Sequence, residues 1–407
     1  MNTPVQIDKL IPGGQALGTL PDGKKAFFWN ALPGETVEEY IITKKKSHYI
    51  EAIATKISNP SPHRIEPEDP CYLSTSPWQI MDFDYELEQK SALVAECFRQ
   101  AGINLPKTAV YTDNHPFFYR NKMEYALYWN NEKGIIELAF HDRGSHRKTP
   151  ISKSSLEHPE IFKKATEIVA ELNEKHEEAR KYQSLLLRSN ASGEVSGGLF
   201  ENGQPHPIFP NLTDTILGHE YSYSPNGFFQ INLPVYESAL TEIKKHITTD
   251  KVLDLYAGVG TIGLSVARDK ELTLVECNKD AYRELERNVA EGWRLVGDPQ
   301  NCANHSFRGK QADRTPVPIL SKSEDALSYI APDQTVILDP PRAGCDKKLL
   351  DKLLEVLPPA IIYLSCNPAT QARDIAILSA KYHIKNAKTF NFFPRTPHIE
   401  NLVILER

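Results

Sequence analysis

From about residue 234 onward the chain alternates short apolar runs with amphipathic ones, and that rhythm allows few folds. Residues 252–256, 272–276, 335–338 and 361–364 read as strands, and 261–268 and 279–289 carry helical periodicity. Strands that alternate with helices need crossover connections, so the sheet is parallel and its faces are covered by helices. In such sheets ligands bind beyond the carboxyl ends of the strands. The residues just past those ends therefore carry most of the functional information.

Three of these ends are distinctive. Asp254-Leu-Tyr-Ala-Gly-Val-Gly-Thr-Ile-Gly runs a strand into a turn where Gly258 and Gly260 let the backbone bend sharply and approach a ligand. Glu276 follows at the end of the next strand, where a carboxylate can accept both hydroxyls of a ribose. Gly258, Gly260 and Gly263 also keep the spacing of a dinucleotide fingerprint, so a dinucleotide competes as the ligand. Asp339-Pro-Pro-Arg follows a second strand, and its prolines hold Asp339 extended at the sheet's ligand edge. Ala360-Ile-Ile-Tyr-Leu-Ser-Cys-Asn-Pro delivers the thiol of Cys366 to a third. A cysteine is ordinarily an inert, buried, small apolar residue. Cys97, Cys277, Cys302 and Cys345 keep that reading, whereas the strand-end position favours a nucleophile at Cys366. Two further segments read blandly alone. Phe228-Phe-Gln-Ile-Asn looks like a short strand, and Glu400, ahead of a terminal strand at 402–405, like a surface carboxylate.

The remaining 233 residues divide by composition. Residues 1–58 show short β-type runs and Gly or Pro turns, the signature of a small β-barrel. Residues 59–90 begin with four prolines in twelve residues and form a linker. Residues 91–233 are α+β, with a helix at 85–101, antiparallel strands within 117–147, a charged amphipathic helix over 161–182 and strand again at 185–200. Residues 234–407 form the α/β domain, interrupted by an irregular insertion at 293–318. The 407 residues carry a net charge of −6, which disfavours a whole-protein electrostatic grip on nucleic acid, so an RNA face must be local. Arg143, Arg147 and Lys148, with Lys153, His141 and His146 nearby, are the candidate RNA face. The apolar runs are strand-sized and the N-terminus lacks a leader pattern, so a cytoplasmic protein without membrane contact is expected, as a monomer. Six scattered cysteines suit a reducing compartment.

Taken together, these segments resemble the RNA uridine-C5 (5-methyluridine) methyltransferases, over nearly the whole chain. The resemblance implies a Rossmann-like class I methyltransferase domain at the C-terminus, a central α+β domain, and an N-terminal TRAM-like barrel of OB type. Ala31-Leu-Pro-Gly-Glu, Ser61-Pro-His-Arg and Tyr119-Arg-Asn-Lys-Met-Glu are the phrases that carry it outside the catalytic half. It implies S-adenosyl-L-methionine as cofactor and methylation of uridine C5 in structured RNA through a covalent adduct at C6. The substrate implied is 23S rRNA ahead of tRNA, because of the barrel. Cys366 matches the family's nucleophile and Glu400 its base, while Gln230, Tyr256, Thr261, Glu276 and Asp339 fall on its cofactor contacts; Thr261 stands where relatives often carry Asn. Many relatives hold an iron–sulfur cluster through four cysteines. Here Cys71 stands alone, and His158-Pro159 occupies the place of the fourth ligand, so neither a cluster nor any other metal is expected. Two other functions compete: an RNA cytosine-C5 methyltransferase, and an RNA-binding or RNA-folding protein with a vestigial methyltransferase domain.

Overall fold

The structure, a computed structural model, describes residues 3–206, 208–291 and 315–407. Most of the expected 293–318 insertion, with Cys302, lies outside the described residues. The chain forms two compact units.

The first unit comprises residues 1–96, 114–209 and 393–398. Its N-terminal part is a closed barrel with strand order Val5–Leu10, Ala16–Thr19, Lys25–Trp29, Tyr49–Ser58 and Thr36–Lys45. Alternate residues point inward: Val5, Ile7, Ala16, Ala26, Phe28, Val37, Ala52 and Ala54 are all buried. The many alanines among them suit a barrel too narrow for large side chains from every strand. The second part is a six-stranded antiparallel sheet in the order Gln204–His206, Val195–Glu201, Ser184–Ser189, Lys122–Asn130, Ile135–His141 and Lys148–Pro150. The helix Pro159–Glu174 packs on it through Ile161, Ala165, Val169 and Leu172, one stripe at helical spacing. It is shorter than the expected 161–182. Beyond Glu174 the polar run Lys-His-Glu-Glu has no apolar stripe to bury, His176 turns left-handed (φ 52°), and only a 3-10 turn, Ala179–Lys181, follows.

A buried ionic knot also lies in this unit. Glu86 and Lys90 are 0% exposed and pair at 2.9 Å; both Glu86 oxygens accept from the Arg395 backbone N–H at 3.0 Å, and Lys90 donates to Phe393 O at 3.0 Å. Breaking such a buried pair is far more destabilising than losing a surface one.

The second unit comprises residues 97–113, 210–392 and 399–407. Its eight-stranded sheet has the order Val317–Leu320, Glu271–Glu276, Lys251–Leu255, Gln334–Leu338, Ala360–Ser365, Glu400–Glu406, His383–Phe390 and Val110–Tyr111. The first five strands are mutually parallel. Gln334–Leu338 and Ala360–Ser365 are buried along their whole length, as strands covered on both faces must be. Glu400–Glu406 runs against both of its neighbours and, among the described residues, is the one reversed strand of the sheet. Order in the sheet departs from order in the chain at Lys251–Leu255: the chain goes on to Glu271–Glu276 on one side of it and later returns to Gln334–Leu338 on the other. A crevice for a ligand belongs at that switch point. Among the described residues, no helix is long and apolar enough to cross a membrane.

Candidate active site

At the switch point the chain leaves Leu255 through Tyr256, Gly258 and Gly260, all with positive φ (67°, 58° and 91°). The two glycines do different work. A Cβ on Gly260 would lie 2.6 Å from Leu285 Cδ1 and 2.8 Å from Leu264 Cδ1, and its φ of 91° is left-handed, so packing and backbone together favour glycine there. A Cβ on Gly258 would meet nothing within 4 Å, so its face is open to a ligand. Glu276 braces the turn: Gly258 N donates to its Oε2 at 2.8 Å, and Asn278 N to its Oε1 at 2.6 Å. Each oxygen retains a second lone pair, so the carboxylate can still accept from a ligand hydroxyl. Asp254 Oδ2 accepts from Gly263 N at 2.8 Å, while its Oδ1 is buried without a protein partner. Burial, with Asp339 and Glu276 nearby, pushes the Asp254 carboxyl up to about 8.

Tyr256 hydrogen-bonds Ser323 and Cys345, and Thr261 meets the buried Tyr236 hydroxyl. The segment around Gln230 corrects the strand expected there. Residues 228–232 are irregular, because they deliver the chain to the N-terminus of the helix Leu233–Lys244. Phe229 stacks on Tyr223 at 3.8 Å and is buried, whereas Phe228 is 76% exposed. Gln230 is buried. Asn232, which ends the Phe228-Phe-Gln-Ile-Asn segment and has no role assigned from the sequence, is buried with neither side-chain amide atom partnered. No spacing rule marks such a residue; only its burial does.

Cys366 and Glu400 come together through strand register. Ala360–Ser365 pairs antiparallel with Glu400–Glu406, with Ser365 opposite Asn401. Antiparallel partners sum to a constant, so the next pair outward is Cys366 opposite Glu400, and side chains of directly opposed residues lie about 5 Å apart at Cβ. Glu400 is 5% exposed, which overturns the surface reading of that residue. Burial, then the Asp339 charge, drives its carboxyl well above the usual range, while Arg342 opposes the shift. Asp339 keeps some exposed area, yet its enclosed carboxyl is pushed up by burial to about 7. Cys366 is half-buried. Burial foremost, then Glu400 and Asp339, push its thiol up to about 11, against the pull of a hydrogen bond from Arg342.

The Asp-Pro-Pro-Arg turn is fastened to the helix that follows the thiol. Asn367 Nδ2 and Thr370 Oγ1 donate to Arg342 O at 2.8 and 3.1 Å, and Arg373 Nη2 donates to Ala343 O at 3.0 Å. Asn367 also caps that helix, accepting from Ala369 N. Cys366, Asp339 and Glu400 thus share one corner, and Asp254 and Glu276 border the adjacent turn.

Several members of the expected basic face have partners within the first unit. Arg143 lies over the Trp29 ring at 4.1 Å and donates to Leu73 O, so it packs the first unit internally. Arg147 pairs with Asp142, and Lys153 with Glu68. Lys148 lines a shallow cleft with Trp129, Tyr128 and Arg180. Cys71 is buried, and among the described residues no group of three His, Cys, Asp or Glu is placed to hold a metal ion.

Residues 215–407 match the family model described as tRNA (Uracil-5-)-methyltransferase. Curated relatives described as uncharacterized RNA methyltransferases include one from Bacillus cereus, 27% identical over 99% of this chain and 96% of the relative. Another from Synechocystis is 27% identical over 97% of this chain and 93% of the relative. Among solved structures, the Pyrococcus abyssi tRNA (uracil-54, C5)-methyltransferase, in complex with S-adenosyl-L-homocysteine, shares the fold; its TM-score is 0.74, its identity 22%, and 99% of each chain is covered.

The carboxyls give a pH signature. A raised folded-state pKa means the folded chain binds more protons than the unfolded one, so that contribution to stability is full below about pH 4 and falls as pH rises towards 7. Thermal unfolding of Asp339→Asn against the parent should show the variant gaining relative stability from pH 4.5 to 7.5. A pH-independent difference would contradict the enclosed carboxyl.

Proposed function

We propose that this chain, whose residues 215–407 match the tRNA (Uracil-5-)-methyltransferase family model, methylates a uridine of structured RNA at C5 through a transient bond from Cys366 to C6. The match of residues 215–407 to that family model supports an RNA (uracil-C5)-methyltransferase activity. The observation that carries the route is the register that pairs Ser365 with Asn401, which continued one residue outward brings Cys366 to Glu400, whose charge acts on the thiol.

S-adenosyl-L-methionine, when bound, supplies an electrophilic methyl group on a positively charged sulfur. The donor set fits such a group. Gly258 leaves open space over the turn, Glu276 offers free lone pairs to ribose hydroxyls, and Asp254 Oδ1 and the Asn232 amide are buried groups without protein partners. Asp254, Asp339 and Glu400 also make the corner rich in acids whose ionisation burial opposes. A cation fits among them by Coulomb's law, and its positive charge favours their ionised forms. Tyr256, Thr261, Gln230 and Asp339 complete the proposed cofactor contacts.

Uracil C5 is a weak nucleophile. When the Cys366 sulfur bonds to C6, the C5–C6 π electrons move onto the ring carbonyl and C5 becomes nucleophilic. After C5 has taken the methyl group, Glu400 removes the C5 proton, the double bond re-forms, and the C6–S bond breaks. Burial raises the Glu400 carboxyl well above its usual range, which makes its ionised form a stronger base. Arg342, hydrogen-bonded to the sulfur, favours the thiolate that must attack. The base has to leave its stack to reach Cys366. Phe229 is committed to Tyr223, so the exposed Phe228 is the aromatic free to cover it.

Cytosine shares thiol chemistry, but the family match favours uracil. The barrel does not favour rRNA over tRNA, since the P. abyssi tRNA enzyme covers 99% of this chain. Mapping 5-methyluridine separately in tRNA and rRNA fractions, with and without the protein, identifies the substrate. For the RNA face we take the cleft at Lys148, where Trp129 offers a stacking surface and Arg180 a second cation.

Two outcomes are expected. Cys366→Ala should lose methyl transfer while keeping RNA affinity within about threefold, and Glu400→Gln should accumulate an RNA–protein adduct that survives a denaturing gel; normal turnover in either variant removes that residue from its role. Replacing Trp129 and Lys148 with Ala and Glu should raise the RNA KM about tenfold or more with kcat held. An unchanged KM would take the cleft out of RNA binding.

A further inference from the structure

Behind the Cys366–Glu400 corner lies a run of buried amides that no step above uses. Gln371 sits on the helix Pro368–Leu378, and its Nε2 donates to Tyr363 O and to Asn401 O, both at 2.9 Å. Its Oε1 accepts from Asn401 Nδ2 at 2.7 Å, so one side chain grips both the backbone and the amide of the residue beside Glu400. Asn401 Oδ1 in turn accepts from Thr389 Oγ1 at 2.9 Å. Gln371, Asn401 and Thr389 are each 0% exposed. One chain of hydrogen bonds therefore joins the helix that follows the thiol to three adjacent strands, within a few residues of the two side chains proposed to react.

Such a network is a poor device for stability alone. Buried amides are tolerated only when fully bonded, and an apolar side chain of similar volume would fill the space without that requirement. What a fully satisfied polar network gives is a single geometry. That geometry matters here because Cys366 holds C6 while Glu400 must reach a proton on C5, the adjacent ring atom. Misplacement by about 1 Å is enough to slow such a step about 100-fold.

We infer that the Gln371–Asn401–Thr389 clamp positions Glu400 against Cys366, so that proton removal keeps pace with addition of the sulfur. Gln371 is then a positioning residue, and the inference rests on the roles of Cys366 and Glu400 proposed above. Releasing the clamp slows the second half of the reaction more than the first, and the covalent adduct outlives its normal lifetime.

The test uses the full-length protein with its RNA and S-adenosyl-L-methionine. Gln371→Leu should lower kcat about 10- to 100-fold with both KM values within about twofold, and adduct should build up on a denaturing gel. A purely structural role would lower the melting temperature and the yield of active enzyme without adduct. Should Gln371→Leu fail to fold, Thr389→Val breaks only the outer link and should show the same adduct to a smaller degree, with Thr389→Ser restoring turnover. Turnover within twofold of the parent and no adduct in Thr389→Val, and in Gln371→Leu where it folds, overturns the clamp while Cys366→Ala stays inactive. If the parent itself methylates no uridine, the reading of the site falls and the clamp falls with it.

Discussion

The antiparallel pairing of Ala360–Ser365 with Glu400–Glu406 is the constraint on which the rest of the site depends. Every other strand bonded within the described sheet edge could supply one residue to a ligand, because parallel strands all end on the same side. A reversed strand instead begins where its neighbour ends, so its first residue faces its neighbour's last. Glu400 opens one strand just where Cys366 closes the other. Register then converts about thirty residues of sequence separation into direct opposition, and a slip of one residue would turn Glu400 to the other face.

Charge completes what register begins. Burial in this corner opposes ionisation of Asp254, Asp339, Glu400 and Cys366. In the free protein these groups hold protons more strongly than in water. Positive charge entering the crevice favours the ionised form of each of them, so in the proposed mechanism arrival of a cationic methyl donor would promote ionisation of the proposed nucleophile and base together. Arg342 supplies part of the same effect from the protein side, on a loop tied to the helix after Cys366.

Much of this was legible in the sequence. The strand–helix rhythm dictated the parallel sheet, and the glycine turn, Asp339 and Cys366 each stood past a strand end, where sheet topology gathers such residues. Glu400 was misleading alone, since nothing local to His-Ile-Glu-Asn reveals that its strand is reversed and central. The buried Glu86–Lys90–Arg395 knot and the Gln371 clamp were equally invisible, because polar residues in sequence signal solvent unless their partners are known. Arg143 misled in the opposite direction: as one of several cations it suggested an RNA face, yet the ring of Trp29, more than a hundred residues earlier, claims it. Legibility followed contact distance along the chain. Local turns and periods could be read, and partners far apart in sequence could not.

The central claim is that the Cys366 sulfur bonds to the target uracil. RNA carrying 5-fluorouridine tests it most directly, because fluorine at C5 cannot leave as a proton does and the methylated adduct persists. Incubation with S-adenosyl-L-methionine followed by proteolysis and mass spectrometry should recover the nucleotide, with its added methyl group, on the peptide that contains Cys366. Recovery on any other residue, or methyl transfer to unmodified RNA with no adduct formed on the fluorinated one, would contradict the account.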